Sequence, residues 1–305
     1  MNLVQKLGVS AAALFVSNAA MAADIIVVTH GQANDPFWAI VKNGADLAGE
    51  HTGAKVEYRA PETFDMVAMG QLIDAAVNQE PDGLVVSIPD GDALGPAIAK
   101  AVKAGIPVIS INSGSDVAKE LGAVLHVGQA EYDAGLAAGE ALAKGGSNAV
   151  CVNHEVGNVA LDQRCAGFAA GFGGDVTILP TGNDPAEIKS KVAASIASNS
   201  DIDTVIALGA SLAGEPSVEA VKESGRDIQV ASFDLSANFL QMVLDGDAMF
   251  GIDQQPFLQG YLPVTFLALH AEYGTVPGGN VPSGPNLITA DKAAQVIELS
   301  AKGIR

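Results

Sequence analysis

Short apolar segments rich in Val and Ile alternate with longer Ala-rich segments along most of the chain, and this alternation constrains the fold most. One series of apolar segments occupies 25–30, 54–60, 83–88, 107–112 and 123–128, and a second occupies 148–153, 175–180, 204–209 and 228–234. Such runs are typical of parallel strands that helices cover on both faces. The pattern predicts an α/β fold with two similar doubly wound parallel-sheet lobes and a ligand cleft between them.

The first 22 residues have the parts of a secretory signal peptide. Lys6 precedes the apolar stretch 7–20, and a small-residue site, Ala20-Met21-Ala22, follows it. An uncleaved membrane anchor is the alternative, but polar residues interrupt this stretch, which is shorter than the roughly 20 residues that a spanning helix needs. We expect cleavage after Ala22 and export to the periplasm, so that 1–22 is absent from the mature protein.

The net charge of the chain restricts the kinds of binding partner that we expect. The chain has 16 Lys and Arg residues against 35 Asp and Glu residues, a formal net charge of −19. Binding to nucleic acid requires a basic face that neutralises phosphates, and the sequence shows none. We therefore expect no nucleic-acid partner. A strongly acidic surface favours a soluble monomer.

Cys151 and Cys165 are the only cysteines of the chain. An oxidising export compartment allows them to pair. We predict a disulfide between them, and the alternative is two separately buried thiols.

Five short segments carry a family resemblance. They are NDPFW at 34–38, GIPVISIN at 105–112, RCAGF at 164–168, VASFD at 230–234 and GIDQQP at 251–256. In this order and spacing they resemble periplasmic sugar-binding proteins of ABC transporters, in the ribose/galactose-binding class with the type I periplasmic binding protein fold. The resemblance covers almost the whole chain after residue 22.

The resemblance also implies how the two lobes are connected. Three crossover strands are expected near Gln129, near Gln254 and within 281–286. The N-terminal lobe would then comprise 24–128 plus 256–282. The C-terminal lobe would comprise 129–254 plus 283–305.

Two neighbouring aromatic residues match the ring-binding positions of the family. Phe37 and Trp38 correspond to the aromatics that pack against a sugar, whose C–H faces suit an aromatic surface. The alternative is that one ring, Phe37 in particular, belongs to the core.

Polar ligand contacts are implied at further positions. Asp35 and Asp234 would accept hydroxyl protons, and Arg164 would donate to ring and hydroxyl oxygens, unless it is a helix-surface Arg. The amide of Gln254 can both donate and accept. Other candidate ligand contacts are Asn34, Asn158 and Gln255.

Three positions depart from the family pattern. Asn112 and Ser113, which we also expect to contact the ligand, stand where ribose binders carry Asp and Arg. Gly209 stands where the family has Asn, which suggests more room in the second lobe. These differences argue against ribose as the ligand.

The charges of these candidates favour an uncharged ligand. Two carboxylates, Asp35 and Asp234, face one cation, Arg164, so a sugar acid or phosphate would lack a counter-charge. A small neutral sugar or polyol fits best. The five histidines are scattered without metal-ligand spacing, and the segment 209–213 lacks the final Gly of a nucleophile elbow. We expect no metal, no cofactor and no enzymatic activity.

Together these features predict a periplasmic substrate-binding protein of an ABC importer. It would capture a neutral monosaccharide or polyol by hinge closure and present it to an inner-membrane ABC permease. One alternative is a sugar-sensing receptor domain for chemotaxis or signalling. Another is the core of a sugar-responsive repressor, although only the predicted signal peptide precedes Asp24.

Overall fold

A computed structural model describes residues 22–31 and 35–305 of the chain. Residues 1–21 of the predicted signal peptide and the candidate ligand residue Asn34 lie outside the described residues. In the described ranges, no helix has both the length and the apolar character needed to cross a membrane.

The strands form two six-stranded sheets, one in each lobe. The first sheet has the order β11-β5-β4-β3-β1-β2 and is parallel throughout. Its strands are β1 (Asp24–Val28), β2 (Lys55–Arg59), β3 (Gly83–Ser87), β4 (Val108–Ile111), β5 (Leu125–Gly128) and β11 (Val281–Pro282).

The second sheet has the order β12-β10-β9-β8-β6-β7, in which β12 runs antiparallel to β10 and the other pairs are parallel. Its strands are β6 (Asn148–Asn153), β7 (Asp175–Pro180), β8 (Thr204–Ala207), β9 (Gln229–Phe233), β10 (Gly251–Asp253) and β12 (Asn286–Ile288). The predicted fold class, two doubly wound α/β lobes, is confirmed.

Helices cover both faces of each sheet. They are α1 (Pro36–Thr52), α2 (Met66–Val77), α3 (Gly91–Lys103), α4 (Glu131–Leu142), α5 (Val159–Phe172), α6 (Pro185–Ser198), α7 (Glu215–Ser224), α8 (Ala237–Asp245), α9 (Pro256–Tyr273) and α10 (Ala290–Ala301). A π-helical turn, Ala210–Gly214, precedes α7.

The period-two geometry of the strands explains this double covering. In β1, Ile26 and Val28 pack with α2 and α3, whereas Ile25 and Val27 pack on the opposite face with α1 and α9. In β6, Val150 belongs to the core shared with α6, α7, α8 and α10, on the face opposite α4 and α5. Strands buried on both faces read as continuous apolar runs, which is the pattern in the sequence.

The chain passes between the two sheets three times. It leaves β5 of the first sheet for α4 of the second lobe, and it returns from β10 of the second sheet to α9 of the first lobe. The third passage joins β11 of the first sheet to β12 of the second. The passages bring the carboxyl ends of both sheets to face one another.

A disulfide joins Cys151 in β6 to Cys165 in α5, with an S–S distance of 2.05 Å. The predicted pairing is confirmed. The bond attaches α5 to β6, the strand next to the edge strand β7, directly beside the candidate ligand residue Arg164.

The two lobes are in contact at the mouth of the cleft. The backbone N–H of Val159 in the second lobe donates to the carbonyl oxygen of Pro89 in the first, at 3.0 Å. The side chain of Gln163 donates to Asp116 across the same boundary, also at 3.0 Å. The structure therefore represents a closed arrangement of the lobes.

Candidate functional site

A cleft lies between the lobes at the carboxyl ends of their parallel strands, where open α/β sheets bind ligands. Its empty space is about 480 Å³, part of which is open to solvent. The lining side chains come mainly from the segments that directly follow β1, β4, β6, β8, β9 and β10. Among the predicted site residues, those that line it are Asp35, Phe37, Trp38, Asn112, Asn158, Arg164, Asp234 and Gln254.

Asp35 forms the N-cap of α1. Its Oδ1 accepts a hydrogen bond from the backbone N–H of Phe37 at 2.9 Å, and Pro36 occupies the first helical position. Burial raises the pKa of Asp35 to about 6, although the hydrogen bond from Phe37 opposes the shift. The helix start thus places a carboxyl group at the cleft wall.

The two aromatic rings form a single wall with His30. Trp38 is only 5% exposed, and its ring packs edge-to-face on His30 at a centroid distance of 4.7 Å. Phe37 packs edge-to-face on Trp38 at 5.1 Å and is half-buried. Trp38 is therefore the ring more deeply embedded in the core, whereas the alternative from sequence named Phe37. A side chain at Gly31 would meet the Trp38 ring at 2.0 Å, so the close approach requires glycine there.

Asp234 and Gln254 are hydrogen-bonded to each other. The Gln254 Nε2 donates to Asp234 Oδ1 at 2.6 Å. Burial raises the pKa of Asp234 to about 7, while the Arg164 charge and this hydrogen bond act to lower it. Asp234 has a φ of 64°, a left-handed conformation that Asp tolerates better than most residues.

Asn112 links the first lobe to the second passage between the sheets. Its Nδ2 donates to Gln254 Oε1 at 3.1 Å and lies 3.4 Å from Gln259 Oε1. The Gln259 amide in turn donates to the Gln254 carbonyl oxygen and to Ser283 Oγ. A polar network thus connects the cleft to the second and third passages of the chain between the sheets.

Two predicted site residues lie away from the cleft. Ser113 is fully buried, and its Oγ donates to Asn112 Oδ1 at 2.9 Å. Gln255 donates from Nε2 to the Ser283 carbonyl oxygen at 2.7 Å. Both side chains support neighbouring residues, because the tight turns after β4 and β10 direct only Asn112 and Gln254 into the cleft.

Arg164 lines the cleft, and protein groups accept hydrogen bonds from three of its five N–H groups. Nε donates to Glu131 Oε2 at 2.6 Å, Nη2 to Glu131 Oε1 at 3.1 Å and Nη1 to the Leu208 carbonyl oxygen at 3.2 Å. The guanidinium also lies over the Phe233 ring at 4.6 Å. Burial acts to lower the pKa of Arg164, but the Glu131 carboxylate raises it above its ordinary value. The Arg164 fork expected to contact the ligand thus also belongs to a buried ion pair with Glu131.

Four further residues of the site are not among the ligand contacts predicted from the sequence. His30 and His154 line the cleft, and burial, followed by the Arg164 charge, lowers the pKa of each to about 3. Glu155 also lines it, and burial raises its pKa to about 7. The fourth is Glu131, which pairs with Arg164. The first three directly follow β1 and β6, which is the signal that could have identified them.

The space that we expected beside Gly209 for a larger ligand is filled by the His154 ring. A Cβ at this position would lie 2.9 Å from His154 Cε1. The absence of a side chain on Gly209 therefore accommodates the His154 ring rather than a larger ligand.

Asn158 has a structural contact in addition to its place in the cleft. It is the N-cap of α5, where its Oδ1 accepts from the Ala160 N–H at 3.0 Å. Its Nδ2 donates to Glu155 Oε2 at 2.8 Å. This bond orients Glu155, whose Oε2 lies 3.7 Å from His30 Nε2 across the lobe boundary.

The charge balance of the cleft differs from the one derived from sequence. Asp35, Glu155 and Asp234 contribute three carboxyl groups. Arg164 is the only Lys or Arg that lines the cleft in the part of the chain that the structure describes, and Glu131 neutralises it. Over the same residues, no group of His, Cys, Asp and Glu has the arrangement of a metal site.

Comparison with known proteins agrees with this architecture. The model of a periplasmic binding protein domain matches residues 18–275. The crystal structure of a carbohydrate transporter from Acidothermus cellulolyticus, in complex with myo-inositol, is 35% identical, with a TM-score of 0.89, and the match covers 93% of this chain and 100% of that chain.

Two relatives by sequence are sugar-binding proteins. The xylose/arabinose-binding protein of Sulfolobus acidocaldarius is 26% identical over 285 residues, covering 87% of this chain and 70% of the relative. The ribose import binding protein of Haemophilus influenzae is 26% identical over 258 residues, covering 82% and 87% respectively. Because the family model spans most of the two-lobed structure, the chain belongs to the periplasmic binding protein family.

Proposed function

We propose that this protein is the substrate-binding component of an ABC importer and captures a small neutral ring polyol, either a monosaccharide or a cyclitol. The observation that carries the proposal is the cleft between the lobes, in which an aromatic wall faces several oxygen acceptors. The proposed role involves binding and release, with no catalytic step.

The chemistry of the lining residues supports a polyol. The Phe37 and Trp38 rings offer an apolar surface to ring C–H groups. The carboxyl groups of Asp35 and Asp234 accept hydroxyl hydrogens, and charged acceptors form the stronger bonds. The Gln254 amide can donate and accept at neighbouring hydroxyls.

The ligands of similar proteins restrict the candidate ligands of this one. The structure from Acidothermus cellulolyticus contains myo-inositol, and the two relatives by sequence are named for xylose, arabinose and ribose. Asn112 replaces a charged residue of ribose binders, which favours a cyclitol or another sugar over ribose. myo-Inositol is therefore our leading ligand.

Capture would proceed by hinge closure. Asp35, Phe37 and Trp38 belong to the segment after β1, whereas Asp234 belongs to the segment after β9 of the other sheet. A ligand that contacts both stabilises the closed state, and the chain would pivot at its three passages between the sheets. We propose lobes of 24–128 plus 256–282 and 129–254 plus 283–305.

The cellular setting follows from the family and the N-terminal sequence. We propose cleavage after Ala22, release into the periplasm as a monomer and delivery of the ligand to an inner-membrane ABC permease. The net charge of −19 is consistent with a soluble monomer that does not bind nucleic acid.

A thermal-shift screen tests the proposal. Pentoses, hexoses, inositols and alditols are added to the purified protein, and at least one should stabilise it, by about 2.7 kcal/mol at 100 times its Kd. Trp38→Ala and Asp234→Asn should abolish this shift. Asp227→Asn changes an exposed carboxylate far from the cleft and should retain it. Equal stabilisation of the wild type and both cleft variants would contradict the proposed site.

A further inference from the structure

Arg164 and Glu131 form an ion pair that solvent barely reaches. Their side chains are 3% and 1% exposed, and two hydrogen bonds of 2.6 and 3.1 Å connect them. The fork of Arg164 matches the two carboxylate oxygens, which is the strongest geometry for such a pair. The cation at the cleft wall therefore already has a full counter-charge.

Further contacts hold this pair in place. Gln129 Nε2 donates to Glu131 Oε2 at 2.9 Å, and the Leu208 carbonyl oxygen accepts from Arg164. Glu131 also begins α4, where the helix dipole favours a negative charge. Turning Arg164 toward a ligand would leave the Glu131 carboxylate buried without its partner, which is costly.

The remaining charged groups of the cleft are acidic. Asp35, Glu155 and Asp234 line it, and none of them has a basic side chain as a hydrogen-bond partner within the described ranges. An acidic ligand would therefore be placed beside three carboxyl groups, while the charge of Arg164 is already compensated by Glu131. A hydroxyl ligand can instead donate to these groups.

We propose that Glu131 determines the charge selectivity of the cleft, because it neutralises Arg164 and thereby restricts binding to ring polyols without an acidic group. This inference rests on the proposed function and deepens it. Glu131 is a positioning residue that acts through Arg164, since it does not itself line the cleft.

The experiment compares matched neutral and acidic ligands by titration calorimetry. The pairs are D-glucose with D-glucuronate and myo-inositol with myo-inositol 1-phosphate. The wild-type protein should prefer the neutral member of each pair. In Glu131→Gln, the charge of Arg164 is no longer compensated, and the negative charge that would repel an acidic ligand is removed. Because like-charge contacts cost several kcal/mol, the preference for the neutral ligand should fall by at least about tenfold.

Two control variants separate this effect from a general change of charge. Glu131→Gln combined with Arg164→Gln removes the released cation, so the gain in acid binding should disappear. Asp133→Asn changes an exposed carboxylate in the same turn of α4 and should leave the preference unchanged. A merely structural role of Glu131 would weaken neutral and acidic ligands alike.

Each outcome decides the inference. If Glu131→Gln still rejects D-glucuronate, the proposed role of Glu131 is wrong. It is also wrong if the double variant binds D-glucuronate as well as Glu131→Gln does. If Glu131→Gln does not fold, the wild type decides, because equal binding of glucose and glucuronate overturns the inference. Acid binding by Glu131→Gln without neutral binding by the wild type would refute the proposed ligand class alone. No binding by either protein would refute both.

Discussion

At the scale of single residues, the cleft is defined by side chains whose backbone turns sharply after a strand. Asn112 and Asp234 both have positive φ values, 60° and 64°, and both line the cleft. Ser113, which follows Asn112 in the sequence, faces another way and only supports Asn112. Motif position identified these segments, but the backbone conformation after β4 decided that Asn112, rather than Ser113, lines the cleft.

The pH dependence of stability should report the buried state of Asp234. Its pKa rises from 3.8 in the unfolded chain to about 7, so its stabilising contribution is complete below 3.8 and is lost as the pH rises through 7. Asp234→Asn lacks this contribution. The Tm of the wild type minus that of the variant should therefore fall between about pH 4 and pH 8. A difference that stays constant, measured without ligand, would show that Asp234 is not buried as a carboxyl group.

At the scale of elements, glycines allow close helix pairs in both lobes. A Cβ on Gly260 of α9 would lie 1.9 Å from the Val41 carbonyl oxygen of α1. A Cβ on Gly167 of α5 would lie 2.0 Å from the Tyr132 carbonyl oxygen of α4. The second contact matters for the site, because α4 carries Glu131 and α5 carries Arg164. Close packing of these helices permits the buried ion pair.

Two alanine substitutions should therefore have opposite effects on stability. Gly167→Ala forces α4 and α5 apart and should destabilise the protein by about 1–3 kcal/mol, the usual cost of overpacking. Gly70→Ala in α2 meets nothing within 4 Å and should stabilise it by about 0.5–1 kcal/mol. Denaturant unfolding measures both. Similar effects of the two substitutions would contradict the close packing of α4 on α5.

At the scale of the whole molecule, contacts between the lobes stabilise the closed arrangement. The bond from Gln163 to Asp116 and the backbone bond from Val159 to Pro89 both cross the cleft boundary. They form only when the lobes approach, so they bias the equilibrium toward the state that encloses a ligand.

Removing one such contact should favour the open state. Gln163→Ala should increase the radius of gyration of the ligand-free protein in solution scattering. It should also weaken ligand binding by about two- to tenfold, since one hydrogen bond contributes about 0.5–1.5 kcal/mol. Gln241→Ala, which removes an exposed Gln bonded to Asp245 within α8, serves as the control. Indistinguishable behaviour of the two variants would contradict a role of this contact in closure.

The fold class and the Cys151–Cys165 pairing could be predicted from the sequence, and the structure confirms both. Continuous Val- and Ile-rich runs between helical segments require a sheet that is buried on both faces, and this requirement depends only on local periodicity. The sequence also indicated which segments form the cleft, because the residues that follow parallel strands lie at one edge of the sheet.

The electrostatics of the cleft depend on tertiary contacts that the sequence did not reveal. Glu131 and Arg164 are 33 positions apart, and their contact depends on how closely α4 packs on α5. His154 occupies the room beside Gly209, and Glu155 approaches His30 from the other lobe. Charge pairing and burial depend on distances between elements, and residue order along the chain does not specify these distances.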